Sequence, residues 1–333
     1  MNQPQLLAYL DHNVLDVMSK SDPDDVAGLL KRASFTPVFS DENLAEIRRS
    51  TGFEQTFLKV LERIDARYLV PILDNQFRHT GKAEVRSVNP LETFNTYVEN
   101  VGALPEFGFG LSPTLQKAYG GRQGQSFEEI FSSGTGELYD LLMKLREGLA
   151  TVPEVNDRVR DQLEQVIADL PGLMKEQYAT VASQFDAQPL PAVKQFEQAT
   201  GLGAKVLKNI QGPDVVRKVW ALVQERLGGV EVEMDVFFGI KSFPFEADTD
   251  RERTTLEKIN GIYHQLNFLG YYRDSNMSNE QRFAASFSDM THAGLASFCH
   301  VLICRDEDLV MKAAAAYEYL GIGTRILYFG APN

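Results

Sequence analysis

The sequence predicts an α/β fold: a parallel sheet flanked by helices and interrupted by a mostly α-helical insertion. Three observations carry this expectation. Short β-type runs alternate with helix-period stretches near both ends of the chain, over roughly residues 5–74 and 280–333, and such alternation indicates a parallel sheet covered on both faces. The middle of the chain is helical in period and is broken by turn-rich stretches such as "YGGRQGQS" and "DAQPLPAV". Chain ends that share one sheet are common in compact domains. The expected division is therefore one α/β domain, 1–74 with 250–333, split by a helical insertion over 75–249.

At the N-terminal side, "LLAYL" is an apolar run of buried-strand type, and "HNVLDVMSK" follows with helical spacing. "DPDDVAGLLKRA" is a second helical stretch in which Pro23 suits a first turn. "FTPVFS" is short and β-rich. Its Pro37 lacks the ladder donor, so this strand is expected at an edge or beginning near Pro37. Ser40 suits the N-cap of "DENLAEIRRST", whose early acids and late arginines complement the helix dipole. A further helix is expected over "EQTFLKVLERIDARYL".

In the insertion, "SGTGELYDLLMKLREGL", "VNDRVRDQLEQVIADL" and "PDVVRKVWALVQERL" read as helices, and β-like runs are confined to "GVEVEMDVFFGI". "TTLEKINGIYHQLNFLG" and "NEQRFAASF" lead back to the α/β part. There "SDMTHAGLASFC" reads as a helix capped by Ser288 or Asp289, and "HVLIC" as a strand. "DEDLVMKAAAAYEYLG" reads as a helix stopped by Gly321, and "TRILYF" as a last strand.

Composition limits function. A net charge of −13 and a pI of about 4.9 disfavour a generic nucleic-acid coat or membrane-surface protein, although a local basic groove remains compatible. No start of signal-peptide type is visible. No apolar run approaches the roughly 20 residues of a membrane helix. The two cysteines, Cys299 and Cys304, are expected as free thiols, for which a reducing cytoplasm is the simplest home.

Acids recur where open α/β sheets bind ligands, beyond the carboxyl ends of the strands. Asp11 ends the first strand, Glu46 lies early in the helix after the second, Asp289 precedes "HVLIC", and Asp306 lies just beyond it. Four such carboxylates repel one another unless hard cations sit among them, and oxygen-rich sites suit Mg²⁺ or Mn²⁺.

"YLDHNVL", "FSDENLAEI", "DMTHAGLASF" and "LICRDEDL", in that order, resemble the four acidic motifs of PIN-domain nucleases. The resemblance covers residues 5–74 and 280–333 and implies a PIN-like fold with a metal-dependent phosphodiesterase activity, on RNA ahead of DNA. It implies Asp11, Glu46, Asp289 and Asp306 as catalytic and metal-binding acids. Asn13, Ser40, Cys304 and Asp308 would stand around them as hydrogen-bonding neighbours. Cys304 occupies a place where that family usually has Thr or Ser, and the insertion replaces a short connection. The expected function is thus a cytoplasmic, metal-dependent endoribonuclease whose insertion selects the substrate, a protein partner or an inhibitor. Two alternatives are an inactive PIN-like interaction module and a DNA-directed nuclease. A phosphatase fits less well, because no Asp-x-Asp follows the first strand.

Lys31, Arg32, Arg48, Arg49 and Arg273 form the expected positive patch, with Arg49 and Arg273 as the phosphate-binding candidates. "YHQLNFLGYYRDSN" offers aromatics for base stacking, but core packing is the simpler account of its spacing. Asp16 is a reserve acid. His292, one turn beyond Asp289, is placed where it could point at the site, but a partly buried, hydrogen-bonded histidine is the simpler reading. Cysteine and histidine spacings give no zinc motif, and "GLGAKV" lacks the ending of a phosphate loop.

Overall fold

The computed structural model describes residues 5–20, 22, 25–102, 111–150, 156–186, 190–228, 231–242 and 251–330. The chain runs β1 (Leu6–Leu10), α1 (His12–Lys20), α2 (Val26–Arg32), β2 (Phe35–Phe39), α3 (Asp41–Arg49), α4 (Glu54–Arg63), β3 (Arg67–Leu73) and β4 (His79–Arg86). Next come α5 (Pro90–Gly102), α6 (Leu111–Ala118), α7 (Phe127–Ala150), α8 (Asp157–Asp186), α9 (Ala192–Thr200), α10 (Ala204–Leu207), α11 (Val215–Leu227) and α12 (Met234–Phe237). The chain returns through α13 (Thr255–Leu269) and α14 (Glu280–Ala296) to β5 (Val301–Cys304), α15 (Glu307–Leu320) and β6 (Arg325–Tyr328). Pro23 lies outside the described residues, as do the first two residues of "GVEVEMDVFFGI".

The six strands form one sheet in the order β4-β3-β2-β1-β5-β6, parallel except for the β3–β4 pair. The α/β expectation holds. β1 sits centrally between β2 and β5, so connections leave it towards both sides of the sheet. Period-2 alternation then divides its side chains. Ala8 and Leu10 join a core with Leu15, Leu44, Ile47 and Leu61 from α1, α3 and α4. Tyr9 joins the opposite core, with Ile259, Leu266, Ala293 and Ala313 from α13, α14 and α15. Each fully buried Leu, Ile or Phe contributes roughly 1.5–3 kcal/mol of transfer free energy, so both faces anchor the carboxyl end of β1.

Several elements differ from expectation. β2 is internal, not an edge. Its ladder with β3 begins only at Val38, however, so Pro37 pairs with Ala8 where β2 has β1 alone beside it. The helix expected through Leu69 ends at Arg63, because Asp65 turns left-handed (φ 50°) and releases the chain into β3. The β3–β4 hairpin closes through Asp74 N–H to Arg78 O. Residues 234–237, expected as β-like, form α12.

α14 begins at Glu280, so neither Ser288 nor Asp289 caps it; Asn279 Oδ1 accepts the Arg282 N–H instead. Ser286 and Ser288 do not interrupt the helix, because their hydroxyls bond other side chains: Asn267 and Asp274 for Ser286, Arg49 and Glu42 for Ser288. Gly294 lets α14 lie close to α13, since a Cβ there would come within 2.6 Å of Asn260 Oδ1. Gly321 is the left-handed C-cap of α15, as expected.

The chain divides into two compact units, and the division differs from the expected 75–249 insertion. The first comprises 1–98, 196–275 and 284–333 and contains the whole sheet. β4 belongs to it because it pairs with β3, and Phe196–Ser275 because residues of α11 and α13 fill the core on the Tyr9 face. The second comprises 99–195 and 276–283. Its described elements are helical, with α7 against α8 and Asp186 accepting the Phe127 N–H at 2.8 Å. Between residues 90 and 228 the described residues form helices and no strand. No helix among the described residues is long and apolar enough to cross a membrane.

Candidate functional site

Asp11 is buried at the carboxyl end of β1, 1% exposed, with its N–H bonded to Ile303 O of β5. Asn13 Nδ2 donates to its Oδ2 at 3.3 Å. Burial first, then the charges of Glu46 and Asp306, push its pKa up to about 6 against the lowering influence of His292 and Asn13. A carboxylate at this position is expensive to leave ionised without a nearby cation.

The nearest built-in cation is His292. Its ring is fully buried, and Nε2 lies 2.7 Å from Glu46 Oε2. Burial alone would lower its pKa, but Glu46 and Asp11 outweigh this and raise it to about 9. The ring is therefore an imidazolium at neutral pH and donates from both nitrogens. Nδ1 donates to Tyr9 Oη at 2.7 Å, and Tyr9 in turn donates to Ser40 Oγ at 2.7 Å. Ser40 bonds Asn43 Oδ1 at 3.3 Å, and Asn43 Nδ2 reaches Leu10 O at 3.0 Å. This chain ties α14 to β1 through the start of α3. It gives Ser40 the hydrogen-bonding place expected of it, acting through Tyr9 and His292.

Glu46 experiences burial, which raises its pKa, but His292, His12 and Arg49 reverse this and leave it lowered. His12 Nδ1 stands 3.8 Å from Glu46 Oε2 and is a buried nitrogen without a hydrogen-bond partner. Arg49, half exposed, reaches Ser288 Oγ at 2.9 Å, Glu42 at 3.4 Å and Glu46 at 3.7 Å. It borders the acids as expected, but it is already engaged by two of them.

The other expected acids form a neighbouring half of the site. Asp289 projects from the middle of α14, and its pKa is raised by burial and by the charges of Asp11, Asp274, Asp306 and Glu46. Asp306 caps α15, its Oδ1 accepting the Leu309 N–H at 2.9 Å. Asp308 is pushed up to about 6, by burial first and by Asp306 and Asp274, despite Lys312. Lys312 is fully buried. Its ammonium bonds Asp274 Oδ1 at 2.7 Å and Tyr272 O at 2.9 Å, and lies 4.7 Å from the centre of the Tyr263 ring. Cys304 is a buried free thiol whose pKa is raised by burial and by Asp11, Asp306 and Asp289.

The sequence set is thus only partly gathered. Among the described residues, the group able to hold a metal is Asp11, Glu46 and His292, whose ligand atoms lie within 4.8 Å of one another. Asp289 and Asp306 stand outside this group: Asp306 raises the pKa of Asp11 through its charge, and Asp11 and Asp306 raise that of Asp289. Two oxygen donors and one nitrogen donor fit a divalent cation.

Arg273, expected as a phosphate-binding candidate, is held by Glu197 at 2.5 Å and by the carbonyls of Asn267 and Phe268, so its charge is already engaged within the fold. Arg32 pairs with Asp25 at 2.7 Å and Asp16 with Lys20 at 2.7 Å. Tyr263, Leu266 and Tyr271 pack in the core, as their spacing suggested. Sequence reading missed Tyr9, His12 and Lys312, and His292 is fully rather than partly buried, with Nε2 turned towards Glu46. The available signals were polar rings directly beside Asp11 and a lysine in the alanine-rich face of α15. No protein-family model, curated protein or solved structure matches the chain.

Proposed function

We propose that this chain is a metal-dependent nuclease of the PIN-like kind, an endoribonuclease acting on RNA ahead of DNA. The observation that carries the reading is the meeting of Asp11 and Glu46 beyond the carboxyl ends of β1 and β2, with Asp306 close enough to shift Asp11 and Asp11 close enough to shift Asp289. That is where open parallel sheets bind ligands. Asp11, Glu46 and His292 would hold the ion. A bound divalent cation supplies an activated water and offsets the charge developing on the phosphate. Glu46 is suited to orient the attacking water, because His292, His12 and Arg49 keep it ionised. A cation bound there would favour the ionised form of Asp289, which burial and the neighbouring acids oppose. The helical unit of residues 99–195 is the proposed selector of substrate or partner.

A second reading, an inactive interaction module, is favoured by one observation: His292 already neutralises Glu46 at 2.7 Å. The test is a calorimetric Mn²⁺ titration beside a cleavage assay on mixed RNA and DNA, with Mg²⁺, Mn²⁺ and chelator arms. The expected result is Mn²⁺ binding and metal-dependent internal cleavage of RNA. Absence of both overturns the nuclease reading, and binding without cleavage leaves the module reading ahead.

A further inference from the structure

We infer that His292 is a direct ligand of the cation, so that Asp11, Glu46 and His292 form a mixed oxygen–nitrogen site selecting a divalent transition metal such as Mn²⁺ over Mg²⁺. The inference rests on the reading above that a cation binds here, and it names the ligand that sets the ion's class.

Four observations carry it. The first is reach: one ligand atom from each residue lies within 4.8 Å of the others, slightly more than two bonds of roughly 2.0–2.3 Å, so small side-chain rotations bring all three onto one ion. The second is orientation. Metal-bound imidazoles are commonly fixed by an oxygen partner on the other ring nitrogen. Here Tyr9 Oη holds Nδ1 at 2.7 Å, itself held by Ser40, and Nε2 faces Glu46.

The third is the state of the acids. Asp306 Oδ1 is taken by a helix cap, and Asp274 by Lys312 and Ser286, whereas Asp11 has a single long bond from Asn13. Of these three acids, Asp11 is the one whose oxygens are held most weakly, and it stands beside the imidazole. The fourth is His12 Nδ1, a buried nitrogen without a hydrogen-bond partner, which faces the same Glu46 carboxylate at 3.8 Å. When the ion binds, the hydrogen between His292 and Glu46 leaves to solvent.

The chemistry then separates the ions. Mg²⁺ is a hard cation that takes oxygens and keeps several waters, whereas imidazole suits softer first-row ions such as Zn²⁺ and Fe²⁺, with Mn²⁺ between the two. A site that spends one of three protein ligands on nitrogen discriminates against Mg²⁺.

The test loads the full chain with Mn²⁺ after growth with ¹⁵N-histidine and reads nitrogen coupling to the manganese by pulsed electron paramagnetic resonance. Calorimetry compares Mn²⁺ with Mg²⁺ in parallel. The expected result is ¹⁵N coupling in the wild type, kept in His12→Gln and lost in His292→Gln. Mn²⁺ should bind at least about tenfold more tightly than Mg²⁺, with the gap narrowing in His292→Gln. If that variant fails to fold, the labelled wild type and His12→Gln still decide the assignment. Mn²⁺ bound without nitrogen coupling overturns the inference and leaves a carboxylate site and the nuclease reading standing. Coupling lost in His12→Gln transfers the role to His12 and overturns it as well. No Mn²⁺ binding at all overturns the proposed function itself.

Discussion

Asp11 and Glu46 face an imidazole, whereas Asp274 and Asp308 face a lysine, and the two halves of this acid-rich sheet end manage the same repulsion differently. In the first half the compensating charge is His292, whose cationic form depends on the carboxylates around it. In the second it is Lys312, buried and bonded at once to Asp274, Asn267 and Tyr272. The Lys312 ammonium has its donors fixed on three acceptors at once. An imidazolium can give up its proton and become a ligand. One half thus holds its cation through a fixed set of bonds, and the other, on the proposed reading, exchanges it for a metal ion.

The strongest way to break this comparison is to remove the fixed cation. Lys312→Met leaves Asp274 nearly buried without its partner, and breaking a buried pair costs about 3–5 kcal/mol. Chemical denaturation in chelator should show a loss of that size. The double variant Lys312→Met with Asp274→Leu should recover much of it. If the halves are separate, the stabilisation produced by saturating Mn²⁺ should be the same in Lys312→Met as in the wild type. A much smaller Mn²⁺ effect would mean that the halves form one site.

The next effect is on activity. Asp11→Asn should lower metal-dependent cleavage by at least about 100-fold, the scale of losing one preorganised electrostatic group. Its melting temperature in chelator should be unchanged or higher, because burial and repulsion already oppose the ionised aspartate. Added Mn²⁺ should then stabilise the wild type more than the variant. A variant that melts lower in chelator and responds to Mn²⁺ like the wild type would make Asp11 a structural acid.

The difference between the halves also tracks what could be read from sequence. Asp11 was legible because an acid ending an apolar strand has little structural use, and β1 carries it where a parallel sheet opens. β1, β2, β5, β6 and the flanking helices were legible from period alone. The β3–β4 hairpin was hidden because the turn at Asp65 depends on a left-handed residue inside what reads as continuous helix. His292 was ambiguous because its meaning depends on Tyr9 and Glu46, 283 and 246 residues away in the chain. The engagement of Arg273 was hidden for the same reason, since its partner Glu197 sits in a segment expected to belong to the insertion. Pair relations across the fold leave no periodic trace.

pH sharpens the comparison further. Asp11 and Asp308 are both raised to about 6 in the folded chain, and Asp289 is raised as well. An acid raised above its unfolded value gives stability that is present below that value and is lost as pH rises through the folded one. Unfolding free energy in chelator should therefore fall between about pH 4 and pH 6. His292, raised to about 9, gives stability that is full below its unfolded pKa and is lost as pH climbs through 9. The first fall should be on the order of 1–2 kcal/mol once screening at Asp308 is allowed for. It should shrink in Asp11→Asn, while the alkaline fall remains. A flat profile from pH 4 to 6 would remove the strained acids from the account.

The smallest expected effect tests the chain behind His292. In Ser40→Ala, Tyr9 Oη keeps its bond to His292 Nδ1, and Asn43 Oδ1 still accepts the backbone N–H of residue 40, now at 2.9 Å. The Tyr9 hydroxyl loses Ser40 as the acceptor of its hydrogen but stays bonded to His292, so the loss should sit at the lower end of the cost of an unsatisfied buried donor, about 1 kcal/mol. Tyr9→Phe is different. It leaves both His292 Nδ1 and Ser40 Oγ without Tyr9, and a buried donor left unsatisfied costs about 1–3 kcal/mol. The two variants should therefore separate in denaturant, with Tyr9→Phe the less stable. They should separate again in Mn²⁺ affinity, because Tyr9 holds the ring directly and Ser40 holds it through Tyr9. Losing a group that orients a metal ligand typically costs 10- to 100-fold in affinity, so Tyr9→Phe should fall in that range and Ser40→Ala below it. Equal affinities in both variants and the wild type would reduce the chain to core packing and leave His292 without its orienting support.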